Sequence, residues 1–221
     1  MTANIVFDLD GTLIDSAPDI QGLANKLLAA RSFAPIDIDT TRGFIGRGAP
    51  VFIEQLCEAR GIPASERSQM LKEFVDHYDA AVDLTHPYPG VEAALSQLAA
   101  TNRLGICTNK PHRPCLAILK SLRLDEFFTA IVGGDSLPVR KPDPAPLLAT
   151  FERMGSGPRI FVGDSEIDAE TASRAGIPFL LFGRGYRKSA KEALTHVAVF
   201  EDFNTLPAVV DGLLGDPAYD L

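Results

Sequence analysis

The chain has 221 residues, 46% of them hydrophobic, and a formal net charge of −8; a mean hydropathy of +0.07 and a pI of about 5.0 fit a soluble globular protein with one or two cores. No basic cluster stands out, which argues against a nucleic-acid partner. The longest apolar runs fall far short of a membrane span, and no charged-then-apolar segment precedes the first apolar run, so neither membrane insertion nor a secretory leader is expected.

Ile5-Val6-Phe7 is uniformly apolar, as in a strand buried on both faces, and it runs into Asp8-Leu9-Asp10-Gly11. In an extended backbone the period of two puts Asp8 and Asp10 on one side. Like charges that close repel, so a cation or a reaction must compensate. Asp-Gly is also a hairpin signal, which makes a plain turn the competing reading, although Leu13-Ile14 does not continue an alternating partner strand. Ser16 then reads as a helix N-cap, with Asp19 giving a capping-box-like start. Ile20, Leu23, Ala24, Leu27 and Leu28 follow at helical spacing, as do Val51, Phe52, Gln55 and Leu56, then Met70, Leu71, Phe74, Val75 and Tyr78. No strand is expected between Ser16 and Thr85, and Pro87-Tyr88-Pro89-Gly90 breaks the chain.

Beyond Val91 the pattern alternates. Helices are predicted over residues 92–100, 111–122, 144–154 and 167–175, and strands over 104–108, 130–133, 159–163 and 179–182. Strands alternating with helices predict an α/β fold: a Rossmann-like parallel sheet flanked by helices. The helical block after the first strand then becomes a small all-helical cap domain, residues 16–85, inserted in a core of residues 1–15 and 86–221. Cys57, Cys107 and Cys115 lack metal-ligand spacing and read as reduced thiols of a cytoplasmic protein.

In open parallel sheets ligands bind beyond the carboxyl ends of the strands. Four such ends carry polar residues here: Asp8 and Asp10; Thr108-Asn109-Lys110; Arg140-Lys141-Pro142-Asp143, after a loop; and Gly163-Asp164-Ser165-Glu166-Ile167-Asp168. Taken singly, Thr108-Asn109 reads as a helix cap, Lys141-Pro142 as a solvated loop and Gly163-Asp164-Ser165 as a turn. Their joint occurrence, each just past an apolar strand, favours a site. Convergent carboxylates with a lysine suit phosphoryl transfer, because a carboxylate can attack phosphorus and oxygen-rich sites suit Mg²⁺.

These four motifs, in this order, resemble those of the haloacid dehalogenase-like hydrolase superfamily over nearly the whole chain. The resemblance implies that Asp8 is the nucleophile and that Asp10 protonates the leaving oxygen and then activates water. It implies that Thr108, Asn109 and Lys141 grip the phosphoryl group. Mg²⁺ would be held by Asp8, the backbone carbonyl of Asp10, and Asp164, with Asp168 orienting a metal-bound water or Lys141. Longer runs resemble phosphoglycolate phosphatases: residues 7–20, Phe44-Ile45-Gly46-Arg47-Gly48-Ala49-Pro50, Tyr88-Pro89-Gly90-Val91, Thr108-Asn109-Lys110-Pro111, and residues 133–148.

The implied activity is a Mg²⁺-dependent phosphatase for a small phosphate ester, 2-phosphoglycolate first. Alternatives are a phosphomutase, or a phosphatase for a sugar phosphate, a nucleotide or pyrophosphate. A dehalogenase would lack the second aspartate. A phosphonatase would replace it and use a cap lysine, whereas Lys26 and Lys72 sit in helical patterns as solvent-facing residues. A non-catalytic module on the same fold would be expected to lose a carboxylate or the lysine. Substrate choice falls to the cap, where Gly46-Arg47-Gly48 offers close backbone approach and a guanidinium for a substrate carboxylate; an exposed turn arginine is the equal alternative. Oligomeric state is not legible in the sequence.

Overall fold

The computed structural model describes residues 2–216. The first strand, β1 (Asn4–Phe7), is followed after a turn by the two-residue β2 (Ile14–Asp15). Four helices come next: α1 (Ala17–Ala29), α2 (Ile38–Phe44), α3 (Ala49–Arg60) and α4 (Arg67–Tyr78). The chain returns through β3 (His86–Pro87) to α5 (Val91–Ala99), β4 (Arg103–Cys107) and α6 (His112–Ser121). It continues with β5 (Phe128–Val132), α7 (Ala145–Met154), β6 (Arg159–Gly163), α8 (Glu166–Ala175), β7 (Phe179–Phe182), β8 (Ala198–Phe200) and α9 (Leu206–Gly215). Six strands form one parallel sheet in the order β5-β4-β1-β6-β7-β8.

The alternation along β1 shows why its run is apolar throughout. Ile5 and Phe7 pack into the core built with α5, α6 and α9, while Val6 packs on the opposite face with Leu147 and Phe151 of α7 and Ala169 and Ala172 of α8. Both faces are covered by helices, as a parallel sheet requires. The cap helices close over a separate core that includes Leu28, Phe52, Ile53, Leu56, Met70 and Phe74. Phe52 stacks on Phe74 at 5.4 Å and Phe74 meets Tyr78 at 4.8 Å between ring centroids.

The junction between the two cores departs from expectation at Pro87, Ser16 and Asp19. Leu13-Ile14 does lead into a strand, but its partner is β3, so Pro87 pairs in a short antiparallel ribbon rather than only breaking the chain. Proline is tolerated there because the ribbon is all edge. Asp10-Gly11 does make a turn, with Thr12 and Leu13 donating to the Leu9 carbonyl, so turn and site coexist in one segment. Ser16 occupies the N-cap position of α1 but makes no side-chain cap: its hydroxyl donates to Asp10 Oδ1 at 2.6 Å. Asp19 makes no capping box either. Its carboxylate Oδ2 accepts from Leu84 N (3.0 Å), Thr85 N (2.7 Å) and Thr85 Oγ1 (2.6 Å), tying the chain's entry into the cap to its exit.

The pattern along the sequence also leaves out α2, β8 and α9. The α2 helix has seven residues and no apolar stripe, and it starts from an Asp37 side chain that accepts from Thr40 N. β8 is a three-residue edge strand, shorter than a period-two pattern can reveal. Among the described residues no helix is long and apolar enough to cross a membrane.

Replacing Asp19 with alanine leaves three donors without their buried acceptor. We expect Asp19→Ala to lower stability by about 2–3 kcal/mol in urea denaturation and to open the 79–85 segment to limited proteolysis. Unchanged stability would mean that water replaces the carboxylate and the tie is dispensable.

Candidate active site

The chain leaves β1 for the cap, and β4 and β6 flank β1 on either side. From there β5 extends the sheet one way and β7 and β8 the other, which makes the carboxyl end of β1 a topological switch point. Asp8, one residue past β1, stands 7% exposed between the loops that follow β4 and β6. Lys141 Nζ donates to Asp8 Oδ1 at 2.7 Å and to Asp168 Oδ1 at 2.6 Å. The other oxygen of Asp168 accepts from Ser165 N and Ser165 Oγ at the start of α8, so both of its oxygens are committed. Asp164 accepts from Thr12 Oγ1 at 2.7 Å and from Tyr186 N at 2.6 Å.

The backbone is pressed against Asp164 from two sides. Gly11 has φ +90°, and a Cβ there would lie 2.7 Å from Tyr186 Cδ2 and 2.8 Å from Asp164 Oδ2. A Cβ on Gly185 would overlap the Asp164 carboxylate outright. Both positions therefore need glycine.

Asp10 is held apart from this cluster. Its Oδ1 accepts from Ser16 Oγ and, at 3.1 Å, from the ammonium of Lys110. Thr108 and Asn109 are buried beyond β4. The Thr108 hydroxyl oxygen accepts from Lys110 N, and Asn109 Nδ2 donates to the carbonyls of Lys141 and of Gly46 in the cap, 2.9 Å each. Asn109 Oδ1 is buried with no hydrogen-bond partner among the described residues. Arg47 is exposed, on a cap loop that lines the cavity shared by Lys141, Asp164 and Asp168. Lys26 and Lys72 are also exposed.

Tyr78 and Tyr186 escape the sequence reading as site residues, and Lys110 enters it only as part of the polar end of β4, with no role of its own. Lys110 and Tyr78 form a pair at 2.8 Å across the core–cap boundary. Tyr186 reaches from Asp164, through its backbone, to Asp15 Oδ1, to which its hydroxyl donates at 2.6 Å; Arg42 of α2 pairs with the same carboxylate at 3.0 Å. Tyr186 follows the end of β7, the same position relative to the sheet that singled out the other motifs. That position was the available signal.

The electrostatics point to a missing positive charge. Asp8, Asp164 and Asp168 are all buried, with oxygens within 4.8 Å of one another, and Lys141 pairs with only two of them. Burial is the main cause that pushes Asp8 up to about 7, with Asp168 and Asp10 adding to it against Lys141. Burial, then Asp168 and Asp8, holds Asp164 well above the usual carboxylate range. Burial alone would lower the lysines, but Asp168 and Asp8 outweigh it at Lys141, and Asp10 and Tyr78 outweigh it at Lys110, so both ammoniums are firmly charged. An all-oxygen donor set with surplus negative charge fits a hard divalent cation. Asp8 and Asp164 are the carboxylates suited to hold one: Asp8 commits only Oδ1, and Asp164 accepts from uncharged donors alone, whereas Asp168 is ion-paired with Lys141 and bonded at both oxygens.

A family model described as haloacid dehalogenase-like hydrolase matches residues 5–182. The chain is 47% identical to a phosphoglycolate phosphatase of Cereibacter sphaeroides, over 95% of this chain and 98% of that one. It is 40% identical to a phosphoglycolate phosphatase of Rhodobacter capsulatus, over 96% and 98%. A crystal structure described as a predicted phosphoglycolate phosphatase, from Haemophilus somnus, superposes with a TM-score of 0.87 at 29% identity, covering 95% of this chain and 98% of that one.

Removing Lys141 strands two buried carboxylates. Lys141→Met should cost about 3–5 kcal/mol in urea denaturation, and adding Asp168→Asn should recover part of that loss, because one stranded charge goes with it. Strictly additive losses in the double-mutant cycle would sink the proposed coupling.

Proposed function

The chain belongs to the haloacid dehalogenase-like hydrolase family, and we propose that within it this protein is a phosphatase that hydrolyses 2-phosphoglycolate. The observation that carries the reading is the division of labour between the two aspartates of the first loop. Asp8 shares a buried cluster with Lys141, Asp164 and Asp168, while Asp10 is held separately by Ser16 and Lys110. The identity to phosphoglycolate phosphatases over nearly the full length supports the substrate.

In this reading an Asp8 carboxylate oxygen attacks phosphorus, the P–O bond to the leaving alkoxide breaks, and an aspartyl-phosphate forms. Asp10 gives its proton to the leaving oxygen. It then takes a proton from the water that attacks the aspartyl-phosphate, which returns Asp8 as a carboxylate and releases phosphate. Lys141, the Thr108 hydroxyl and the backbone N–H of Asn109 hold the phosphoryl oxygens while charge shifts among them; the Asn109 side chain, both of whose N–H groups go to the Gly46 and Lys141 carbonyls, holds the loop in place. Asp168 fixes Lys141 from behind. Asp8, Asp164 and the backbone carbonyl of Asp10 would hold Mg²⁺, which when bound offsets the repulsion between an anionic nucleophile and an anionic ester.

The cap, placed at residues 16–85, closes the site. Phe44, Ile45, Phe52 and Phe74 line a cavity with Asp8 and Asp10, an apolar wall that suits a small ester and excludes water. The three cysteines are buried and free, which suits the reducing cytoplasm in which we place the enzyme.

Turnover of a panel of 2-phosphoglycolate, sugar phosphates, nucleotides and pyrophosphate, with Mg²⁺ and with chelator, tests the reading. We expect 2-phosphoglycolate to be preferred and chelator to abolish release; preference for a sugar phosphate or a nucleotide would overturn the substrate. Asp8→Asn should abolish turnover, whereas Asp10→Asn should still form the aspartyl-phosphate slowly. An active Asp8→Asn enzyme would mean that another group attacks phosphorus. Binding of Mg²⁺ should also stabilise the fold by about 2.7 kcal/mol at a hundredfold excess over Kd, a rise in Tm of roughly 5–10 °C. In Asp164→Asn this rise should be absent.

A further inference from the structure

The reaction just described uses Lys110 only to hold Asp10 and gives Tyr78 no task, yet both line the cavity that holds Asp8, Asp10 and Thr108. Among the residues lining that cavity Lys110 is the one cation; the rest of the wall is mostly apolar. Lys110 is 6% exposed and donates to Asp10 Oδ1 at 3.1 Å and to Tyr78 Oη at 2.8 Å. An ammonium has three N–H donors, so one remains. The Tyr78 hydroxyl accepts from Lys110, and its own hydrogen has no acceptor among the described residues. Two unspent donors, one charged, thus stand side by side in an apolar cavity next to the group read as the general acid.

The substrate supplies a matching acceptor. In 2-phosphoglycolate the carboxylate carbon lies two bonds from the ester oxygen. A general acid must approach that oxygen to about 3 Å, and Lys110 Nζ is 3.1 Å from Asp10. Oδ1 of Asp10 already accepts from Ser16 and Lys110, so Oδ2 is the oxygen left to carry the proton, and the ammonium lies within two hydrogen-bond lengths plus the width of one carboxyl group of the ester oxygen, a span that the carboxylate of this acid can bridge. We infer that Lys110 and Tyr78 form the subsite that recognises the substrate carboxylate, an assignment that rests on the phosphatase reading above. Arg47, exposed on the cap loop, is then not the reader of that charge. Lys110 belongs to the core and Tyr78 to the end of α4, so the subsite is complete only when cap and core are together.

Kinetics on 2-phosphoglycolate and on 2-hydroxyethyl phosphate, which replaces the carboxylate by a neutral alcohol, test this in the wild type, Lys110→Met, Tyr78→Phe and Arg47→Ala. We expect Lys110→Met to lower kcat/KM for the acid by about 100-fold or more and for the neutral ester by far less. Tyr78→Phe should raise KM for the acid about tenfold with kcat little changed, and Arg47→Ala should affect both esters alike. Equal losses on both esters in Lys110→Met would show that the lysine acts only through Asp10 and overturn the subsite. So would loss of the acid preference in Arg47→Ala with its retention in Lys110→Met. Should Lys110→Met not fold, an unchanged acid-to-neutral ratio in Tyr78→Phe overturns it equally. A wild type indifferent to the carboxylate overturns the substrate reading itself, and the subsite with it.

Discussion

Everything at the carboxyl end of the sheet answers to one imbalance: three buried carboxylates share a space less than 5 Å across with a single lysine. Charges in that setting are expensive unless paired. The fold pairs Lys141 with Asp8 and Asp168, fixes Asp168 through the start of α8, and cradles Asp164 with the Thr12 hydroxyl and the Tyr186 amide. What remains is a surplus of negative charge that the protein does not itself cancel. A folding optimum would have removed it, so the imbalance is a statement about what the site must bind.

A second constraint is that the cap must stay in register with this cluster while carrying its own core. The molecule meets it with short polar ties rather than a broad apolar seam. Asp19 joins both ends of the cap, the Tyr186 hydroxyl and Arg42 meet at Asp15 in the connecting ribbon, and Asn109 reaches the Gly46 carbonyl. Such contacts are directional and individually modest, which suits an element that has to release product.

How much of this the sequence disclosed follows from the range of the interactions. The alternating elements and the strand-end aspartates were legible because they depend on local period and on the position of polar groups just past apolar runs. Ser16 and Asp19 defeat a local reading because capping residues look alike whether they bond three residues along or sixty-six: the Ser16 hydroxyl donates to Asp10, and the Asp19 carboxylate accepts from Thr85. Lys110 and Tyr78 were invisible as a pair, since nothing local relates residues thirty-two apart on different cores. Tyr186 sat in plain view after β7, but its reach back to Asp15 is a property of the closed fold.

The position of β1 has a consequence for biosynthesis. Asn4 pairs with Arg103 on one side and Arg159 on the other. On the ribosome this largely apolar strand must wait for its first partner, β4, until nearly half of the chain has emerged, and for its second, β6, until residue 159 and beyond. Such a strand is a template for misassembly. The intervening helices can assemble on local contacts around their own core in the meantime. They shorten the effective loop that β1 must close, so the inserted domain serves the nascent chain before it serves the substrate.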